Sequence, residues 1–380
     1  MDSLISRRAR SIDASGIRRV FDLGAKLKNP INLSIGQPDF PVPQPMKDAA
    51  IAAIGADRNG YTVTQGIPEL HDAVWRHLAR TIGWKGPSND LGTIVTSGTS
   101  GALLLAFLAV LDPGDEVIAP DPYFVMYPQL GPVSGARVVT CDTYPDFRMT
   151  AERIEPLITD RTKMVLINSP SNPCGVVLTT GELREIVDLC ERRGILLVSD
   201  EIYDEFTYSD ALEEGRFPTP ARLTENMLLV RGFGKTYGCT GWRLGYAAGP
   251  RTLIQEMAKL QQYTFVCAPS IAQHGVVPAF DVDIHAYVAA YQQRRDMVLD
   301  AFAGTAEVAR PGGAFYAFVR PPASLGLTGS AFVERAIERN VLIIPGKVFS
   351  HRDTHFRLSY AVPDAMLADG LEILVDLMRA

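Results

Sequence analysis

One lysine of the chain, Lys235, lies in the glycine-rich segment RGFGKTYGCTGWRLGY, residues 231–246, and Arg243 follows it in the same segment. Glycines let a backbone approach a ligand closely, because they carry no side chain. A lysine that reaches a bound carbonyl compound can form a Schiff base with it. A nearby arginine adds a bidentate donor for a phosphate group. The segment therefore predicts that Lys235 and Arg243 bind the same molecule, although a solvated lysine on a loop is the simpler alternative.

Small and polar residues follow other predicted strands, and in α/β sheets ligands bind beyond the carboxyl ends of the strands. These residues are Gly98, Thr99 and Ser100 after TIVTS, Asn172 after KMVLINSPS, Asp200 and Tyr203 after ILLVS, and Lys235 after NMLLV. Each of them alone also fits a helix cap, a turn or a solvated side chain. Their position at the ends of separate strands favours one shared site.

The residue types at these strand ends match the needs of one cofactor. A helix N-terminus with small hydroxyl residues suits a phosphate group. A lysine can carry an aldehyde as a Schiff base, and a carboxylate such as Asp200 can keep a pyridine nitrogen protonated. The set therefore predicts pyridoxal 5'-phosphate.

The elements that must position these residues alternate between strand and helix from about residue 92. The predicted strands are almost continuously apolar, which indicates a mostly parallel sheet covered by helices on both faces. After about residue 280 the pattern changes to a long amphipathic helix, three strand-like segments and a final helix. This part predicts a second, smaller α+β domain.

The composition fits a globular protein and excludes several classes of function. The chain has 380 residues, 47% hydrophobic and 21% charged, with a formal net charge of −6 and no basic run that indicates a nucleic-acid partner. Its five cysteines form no CxxC pair, and His351 and His355 lie in a predicted loop, so we expect neither a disulfide framework nor a metal site. Without a signal peptide or a membrane span in the sequence, we expect a cytoplasmic enzyme.

Several motifs in one order resemble those of the class I/II aminotransferases of pyridoxal-phosphate fold type I, the group that includes aspartate, aromatic and kynurenine aminotransferases. They are NLSIGQPDF (32–40), GYTVTQGIPELHDAV (60–74), NSPSNPCG (168–175), SDEIYDEF (199–206), KTYGCTGWRLGYAAGP (235–250) and THFRLSYA (354–361). The resemblance implies a large domain with a seven-stranded sheet over residues 45–280. It also implies a small domain formed by residues 281–380, with residues 1–44 as an arm and part of that domain.

The resemblance implies roles around the cofactor ring. Lys235 would hold the cofactor and move the substrate proton, and Asp200 would pair with the pyridine nitrogen. Asn172 and Tyr203 would hydrogen-bond the phenolic oxygen. Phe124 in DPYFVMY would stack on the ring face, with the neighbouring Tyr123 as a rival for that place.

The resemblance also implies roles at the phosphate and across a dimer. Thr99, Ser100 and Arg243 would bind the phosphate, and Gly98 would let the backbone approach it. Tyr61 would reach the phosphate of the partner subunit, which makes the expected assembly a homodimer with shared active sites. Each active site would then take Lys235 from one chain and Tyr61 from the other.

For the substrate, the resemblance implies that Arg357 binds the α-carboxylate with help from the backbone of Gly36, beside Asn172. Ser100 stands where some aspartate-using relatives carry a lysine, and no residue is an obvious ligand for a second carboxylate. Arg18 or Arg19 would be candidates, although a solvated helix face is the simpler interpretation.

One departure from the family pattern concerns Gly232 and Gly234, because many relatives carry serines at these two positions. Losing the first serine would cost the phosphate one donor, worth about 1 kcal/mol. The alternative is that the glycines compensate by a closer approach of the backbone to the phosphate.

The implied activity is transfer of the amino group of an L-amino acid to a 2-oxo acid, such as 2-oxoglutarate, by a ping-pong mechanism. The alternative is a pyridoxal-phosphate-dependent C–S β-lyase or another enzyme of the same fold. A sensor domain without catalysis is a weaker alternative, because Lys235, Asp200, Arg243 and Arg357 are all present.

Overall fold

The computed structural model describes residues 4–12, 16, 27–88 and 90–379. Its largest sheet has seven strands, which are β2 (Leu91–Thr96), β3 (Glu116–Asp121), β4 (Arg137–Asp142), β5 (Thr162–Asn168), β6 (Leu196–Asp200), β7 (Met227–Gly232) and β8 (Gly245–Pro250). Their order across the sheet is β2-β8-β7-β6-β5-β3-β4. Only β8 is antiparallel to its neighbours, β2 and β7. The predicted α/β class with a mostly parallel seven-stranded sheet is confirmed.

Two smaller sheets contain the C-terminal strands. Their strands are β1 (Ile31–Asn32), β9 (Glu307–Val308), β10 (Tyr316–Arg320), β11 (Val341–Leu342), β12 (Ile344–Pro345) and β13 (Phe356–Ser359). The four-stranded sheet has the order β12-β13-β10-β9, and β1 pairs in parallel with β11. Leu33 continues this attachment, since its carbonyl accepts a 2.7 Å hydrogen bond from the Ser359 amide. The N-terminal segment that contributes Gly36 is therefore fastened to the C-terminal part of the chain.

The helices lie between and around these strands. They are α1 (Arg7–Arg10), α2 (Gln44–Gly55), α3 (Pro68–Thr81), α4 (Gly98–Val110), α5 (Met126–Ser134), α6 (Ala151–Ile154), α7 (Thr180–Arg193), α8 (Arg251–Thr264), α9 (Ser270–Val276), α10 (His285–Phe302), α11 (Gly329–Glu338) and α12 (Asp364–Arg379). Across the described residues, no helix is both long and apolar enough to cross a bilayer.

Local sequence signals set the ends of α7, which packs against the sheet. Thr179 and Glu182 form a capping box at its start, and Gly194 ends it with φ of 64°. Leu183, Ile186 and Cys190 are buried on one face of the helix. This is the helical periodicity that the sequence shows, so the local prediction and the tertiary packing agree.

The helix α4 follows β2 almost directly and is apolar on nearly all sides. Its side chains Leu103, Leu105 and Phe107 are buried. A helix that is buried all round is held firmly by packing. Its first residues are therefore fixed at the carboxyl end of β2, beside the ends of β7 and β6.

Candidate active site

A cavity of about 390 Å³ lies at the carboxyl ends of the central strands. It brings together eleven of the residues predicted for the site. These are Gly36, Gly98, Thr99, Ser100, Phe124, Asn172, Asp200, Tyr203, Lys235, Arg243 and Arg357. Their separation along the chain shows that the seven-stranded sheet, the segment after β1 and strand β13 contribute to one site.

Lys235 follows β7, and its amine lies inside the cavity. The Nζ atom donates a hydrogen bond to the carbonyl oxygen of Gly36. Burial, together with the positive charges of Arg357 and Arg243, lowers the pKa of Lys235 to about 8. Near neutral pH, a much larger fraction of this amine is therefore neutral and nucleophilic than in an ordinary lysine.

Asp200 is the last residue of β6 and is only 3% exposed. Its Oδ2 accepts a hydrogen bond of 2.8 Å from the hydroxyl of Tyr127, and its Oδ1 accepts one of 3.3 Å from the amide of Ile202. Burial raises the pKa of Asp200 to about 6, against the opposing effect of the Tyr127 bond. At pH 7 the cavity therefore contains a mostly ionised carboxylate, which has no ion-pair partner within the described ranges.

The end of the cavity that lies at the start of α4 is suited to bind an anion. The helix α4 begins there at Gly98, whose φ is 67°, and the preceding Ser97 makes no side-chain cap. A Cβ atom on Gly98 would lie 2.9 Å from Nη2 of Arg243, so glycine is needed for this approach. Thr99 and Ser100 occupy the first turn. The helix N-terminus, two hydroxyls and a guanidinium together form a site suited to a phosphate.

Arg357, on β13, supplies a second guanidinium at the other side. Its Nη1 donates to Oδ1 of Asn172 at 3.1 Å, and its Nη2 donates to the Ser34 carbonyl at 2.9 Å. The guanidinium carbon lies 4.5 Å from the ring centre of Tyr316 and 4.6 Å from that of Phe349. The buried Nε has no partner within the structure's described ranges. The planar group is thus held by two rings and keeps a donor unused, which suits recognition of a carboxylate.

Comparison with known proteins agrees with this geometry. The family described as aminotransferase class I and II matches residues 28–374. The chain belongs to this family. It is 33% identical to a probable aspartate aminotransferase of Methanocaldococcus jannaschii, over 99% of this chain and 100% of that one. It is 35% identical to a probable N-acetyl-LL-diaminopimelate aminotransferase of Bacillus subtilis, over 98% of this chain and 95% of that one.

A solved structure of aspartate aminotransferase from Thermus thermophilus with maleate has a TM-score of 0.91 to this chain and 34% identity. The alignment covers 98% of this chain and 99% of that one. The resemblance inferred from the motifs is therefore confirmed, and the chain is an enzyme of the aminotransferase class.

The aminotransferase site contains residues that sequence reasoning missed. Tyr127, Tyr316 and Ser34 contact Asp200, Tyr203 or Arg357 but were not predicted. Tyr127 is the last residue of the motif DPYFVMY, which contributed only Phe124 and its rival Tyr123 to the predictions. Ser34 lies inside NLSIGQPDF, so both motifs carried a usable signal.

The remaining predicted positions have different outcomes. Phe124 lines the cavity, whereas its rival Tyr123 faces the ring of His351 with centres 5.8 Å apart. Tyr61 is 87% exposed and does not line the cavity of its own chain. Its predicted role in a partner subunit stays a prediction. Arg18 and Arg19 lie outside the described residues.

The departure of this aminotransferase at Gly232 and Gly234 has a steric basis. A Cβ atom on Gly232 would lie 2.6 Å from Cδ1 of Ile202 and 3.1 Å from Cγ2 of Thr99. A Cβ atom on Gly234 would lie 3.3 Å from Cα of Thr240. The space that a serine would need at position 232 is therefore filled by side chains of the same site.

Proposed function

We propose that this aminotransferase uses pyridoxal 5'-phosphate to move the amino group of an L-amino acid to a 2-oxo acid, such as 2-oxoglutarate, by a ping-pong mechanism. The observation that carries the proposal is the pairing, in one cavity, of a lysine whose pKa is lowered to about 8 with a buried carboxylate at Asp200. Perturbed titratable groups that converge in a cavity are typical of catalytic sites.

The residues fit the cofactor at each of its polar groups. The start of α4 and Arg243 match a phosphate, and Asp200 offers a carboxylate for a ring nitrogen. Lys235 offers the amine that carries an aldehyde. When bound, pyridoxal phosphate supplies a ring that delocalises the electron pair left after removal of the substrate α-proton.

We assign each cavity residue one task at the ring. Lys235 would bind the cofactor covalently, and its amine would afterwards take the proton from the substrate α-carbon. Asp200 would accept a hydrogen bond from the ring nitrogen and keep it protonated. Because Oδ1 of Asn172 accepts from Arg357, its Nδ2 is the atom left to donate to the phenolic oxygen. Tyr203 would donate to the same oxygen, while Phe124 would cover one ring face.

Each of the two guanidinium groups would bind one of the two anionic groups that enter the cavity. Arg243 would bind the phosphate together with Thr99 and Ser100. Arg357 would bind the α-carboxylate of both substrates, with the Gly36 backbone beside it. Burial lowers the pKa of Arg357, but an arginine stays a cation, so a carboxylate bound there gains a charge-assisted hydrogen bond.

The test starts from the purified protein with added pyridoxal phosphate. We expect a visible absorption band, and borohydride should fix the cofactor on Lys235, as peptide mapping would show. Lys235→Ala should lose the fixed adduct and nearly all turnover. Lys259→Ala removes a lysine whose side chain is 65% exposed, and this variant should keep both the adduct and turnover. A cofactor fixed on another lysine would overturn the assignment.

The reaction itself is tested with a panel of amino acids and no acceptor. A transaminase should release about one 2-oxo acid per site without ammonia and then stop until an oxo acid is added. Continuous release of 2-oxo acid together with ammonia would instead support the C–S β-lyase alternative.

We also propose that the enzyme is a homodimer in which Tyr61 completes the phosphate site of the partner subunit. Support comes from the exposed apolar side chains of the single chain, which include Tyr61 itself and Ile51, Ile54, Val63 and Tyr263, all 54–87% exposed. Large exposed apolar patches mark interaction surfaces. In a two-fold dimer, one chain would supply Lys235 and the other would supply Tyr61.

The shared site is tested by refolding two inactive variants together, Lys235→Ala and Tyr61→Asp. In a mixed dimer one site receives both defects and the other receives neither. Random pairing should make about half of the dimers mixed and restore about a quarter of the wild-type sites. If mixed dimers form but activity does not return, Tyr61 acts within its own chain.

A cytoplasmic location completes the proposal. Its support is that all five cysteines are free thiols, four of them buried. Unpaired cysteines are typical of reducing compartments.

A further inference from the structure

Two buried tyrosines meet at the wall of the cavity. The hydroxyl oxygens of Tyr203 and Tyr316 lie 3.0 Å apart, and both residues line the cavity. Their side chains are 2% and 1% exposed. Within the described ranges, neither hydroxyl has another hydrogen-bond partner. The pair therefore shares one hydrogen bond, and either oxygen could be its donor.

Tyr316 is held in place by two further residues of the site. Its ring stacks under the Arg357 guanidinium at 4.5 Å. A Cβ atom on Gly36 would lie 2.5 Å from the Tyr316 hydroxyl, so this hydroxyl occupies the space beside Gly36. The hydroxyl is thus confined between Gly36 and Tyr203. Such confinement fixes its direction before any ligand enters.

A phenol has only one hydrogen to donate. If Tyr203 gives its hydrogen to a ligand in the cavity, the bond between the two tyrosines requires Tyr316 to be the donor. A hydroxyl that accepts a hydrogen bond also becomes a stronger donor, because the bonds polarise one another. The direction and the strength of the bond from Tyr203 then both depend on Tyr316.

We infer that Tyr316 is a positioning residue that directs and strengthens the hydrogen bond from Tyr203 to the phenolic oxygen of the cofactor. The inference rests on the proposed function, since it needs pyridoxal phosphate in the cavity. Tyr316 acts through Tyr203 and need not touch the reacting atoms. Because Tyr316 is on β10, its bond to Tyr203 also joins the four-stranded sheet to the segment after β6.

The consequence appears in the pH dependence of the bound cofactor's colour. A hydrogen bond from Tyr203 stabilises the deprotonated phenolic oxygen, so it lowers the pH midpoint of the visible absorption band. Weakening that bond should raise the midpoint. Because the readout is a spectrum, it does not depend on turnover.

The test compares Tyr203→Phe, Tyr316→Phe and the double variant, each loaded with cofactor. Tyr316→Phe keeps the ring against Arg357 and removes only the hydroxyl. Its midpoint should rise by about 0.5 pH unit, as loss of part of one hydrogen bond implies. Tyr203→Phe should raise the midpoint more. The double variant should match Tyr203→Phe, because Tyr316 acts only through Tyr203.

A second buried tyrosine pair provides the matched control. The hydroxyls of Tyr208 and Tyr360 lie 3.1 Å apart, and neither residue lines the cavity. Tyr360→Phe removes the same kind of bond and should leave the midpoint at the wild-type value. If the midpoint of Tyr360→Phe shifts as much as that of Tyr316→Phe, the effect comes from a general loss of packing, and the inference is overturned.

Other results would also contradict the inference. An unchanged midpoint in Tyr316→Phe would do so, and so would a shift that adds fully to that of Tyr203→Phe. A rise in KM for amino acids alone would make Tyr316 a substrate-binding residue instead. If the wild-type protein shows no visible band with pyridoxal phosphate, the proposed function itself fails, and the inference falls with it.

Discussion

Consecutive carboxylates at the end of β6, Asp200 and Glu201, belong to two different buried clusters. Successive residues of an extended strand point to opposite sides, so one carboxylate faces the cavity and the next faces away from it. Asp200 meets Tyr127 and the cavity. Glu201 accepts hydrogen bonds of 2.8 and 3.0 Å from Arg231, which lies on the neighbouring strand β7.

The cluster around Arg231 is closed within the chain. Arg231 also lies 3.1 Å from Asp204, and the second oxygen of Glu201 accepts from Ser199 and Thr219 at 2.9 and 2.7 Å. Although burial opposes its charge, Asp204 and Glu201 raise the pKa of Arg231 above its ordinary value. The positive charge of Arg231 is thus paired with the carboxylates of Glu201 and Asp204.

In the cavity, by contrast, the charged side chains are not paired with one another and can still bind a charged ligand. Asp200, Lys235, Arg243 and Arg357 form no ion pair within the described part of the chain. The pKa of Asp200 is raised to about 6, and that of Lys235 is lowered to about 8, in each case mainly by burial. The comparison teaches that buried charge alone does not mark a site. Charge held without an internal partner does, because a ligand can still supply one.

Arg231→Met should give the largest effect, and it should fall on stability. The substitution leaves Glu201 and Asp204 buried without their cation, which costs about 3–5 kcal/mol. Urea unfolding at fixed protein concentration measures the loss. Adding Glu201→Gln to the same chain should recover part of it, since one unpaired charge is then removed.

The exposed Arg184 on α7 provides the control for this prediction, because Arg184→Met removes an equal charge from the surface. Its effect should stay below about 0.5 kcal/mol. If Arg231→Met is as stable as the wild type, the Arg231 cluster contributes nothing to stability, and its contrast with the cavity is wrong.

Asp200→Asn should act on catalysis and spare stability. Asparagine keeps an oxygen for the Tyr127 hydroxyl but loses the negative charge that favours a protonated ring nitrogen. We expect the rate of α-proton removal to fall by about 10²–10³, or about 3–4 kcal/mol, as for other positioned charges. Single-turnover kinetics measure the rate, and urea unfolding of the apoenzyme should change by less than about 1 kcal/mol.

Asp188→Asn, on the exposed side of α7, is the matched control and should leave both measurements unchanged. A large loss of apoenzyme stability in Asp200→Asn would place this carboxylate with the structural cluster. The contrast between Asp200 and Glu201 would then have no functional meaning.

Short-range patterns made much of the fold and site predictable. The apolar strands and the polar residues that follow them are adjacent in sequence, so Asp200 and Lys235 were found together with the elements that carry them. Tyr316 was missed because its partner Tyr203 lies 113 residues away. No local signal reports which residue of FYAFVRP meets another strand's end. Tyr61 poses a further difficulty, since its proposed partner lies on a second chain.

Gly232 is a second feature that the sequence alone could not explain. Its departure from the family pattern was visible in the sequence, but its cause was not. The cause requires knowing that Ile202 and Thr99 fill the space around it, and Ile202 lies on a different strand end. Packing of this kind depends on volumes contributed by distant segments.

Gly232→Ser tests that explanation and should give the smallest effect. The new Cβ would meet Cδ1 of Ile202 at 2.6 Å, so the variant should bind pyridoxal phosphate more weakly by about 1 kcal/mol, roughly fivefold. Adding Ile202→Val removes that Cδ1 and frees the hydroxyl to reach the phosphate. The double variant should bind the cofactor at least as tightly as the wild type, by up to about 1 kcal/mol more. Gly241→Ser, where a Cβ meets nothing within 4 Å, is the control for a serine in the same loop and should bind normally. Equilibrium titration of the visible band measures all four proteins. If Gly232→Ser alone binds as well as the wild type, Ile202 does not explain the glycine.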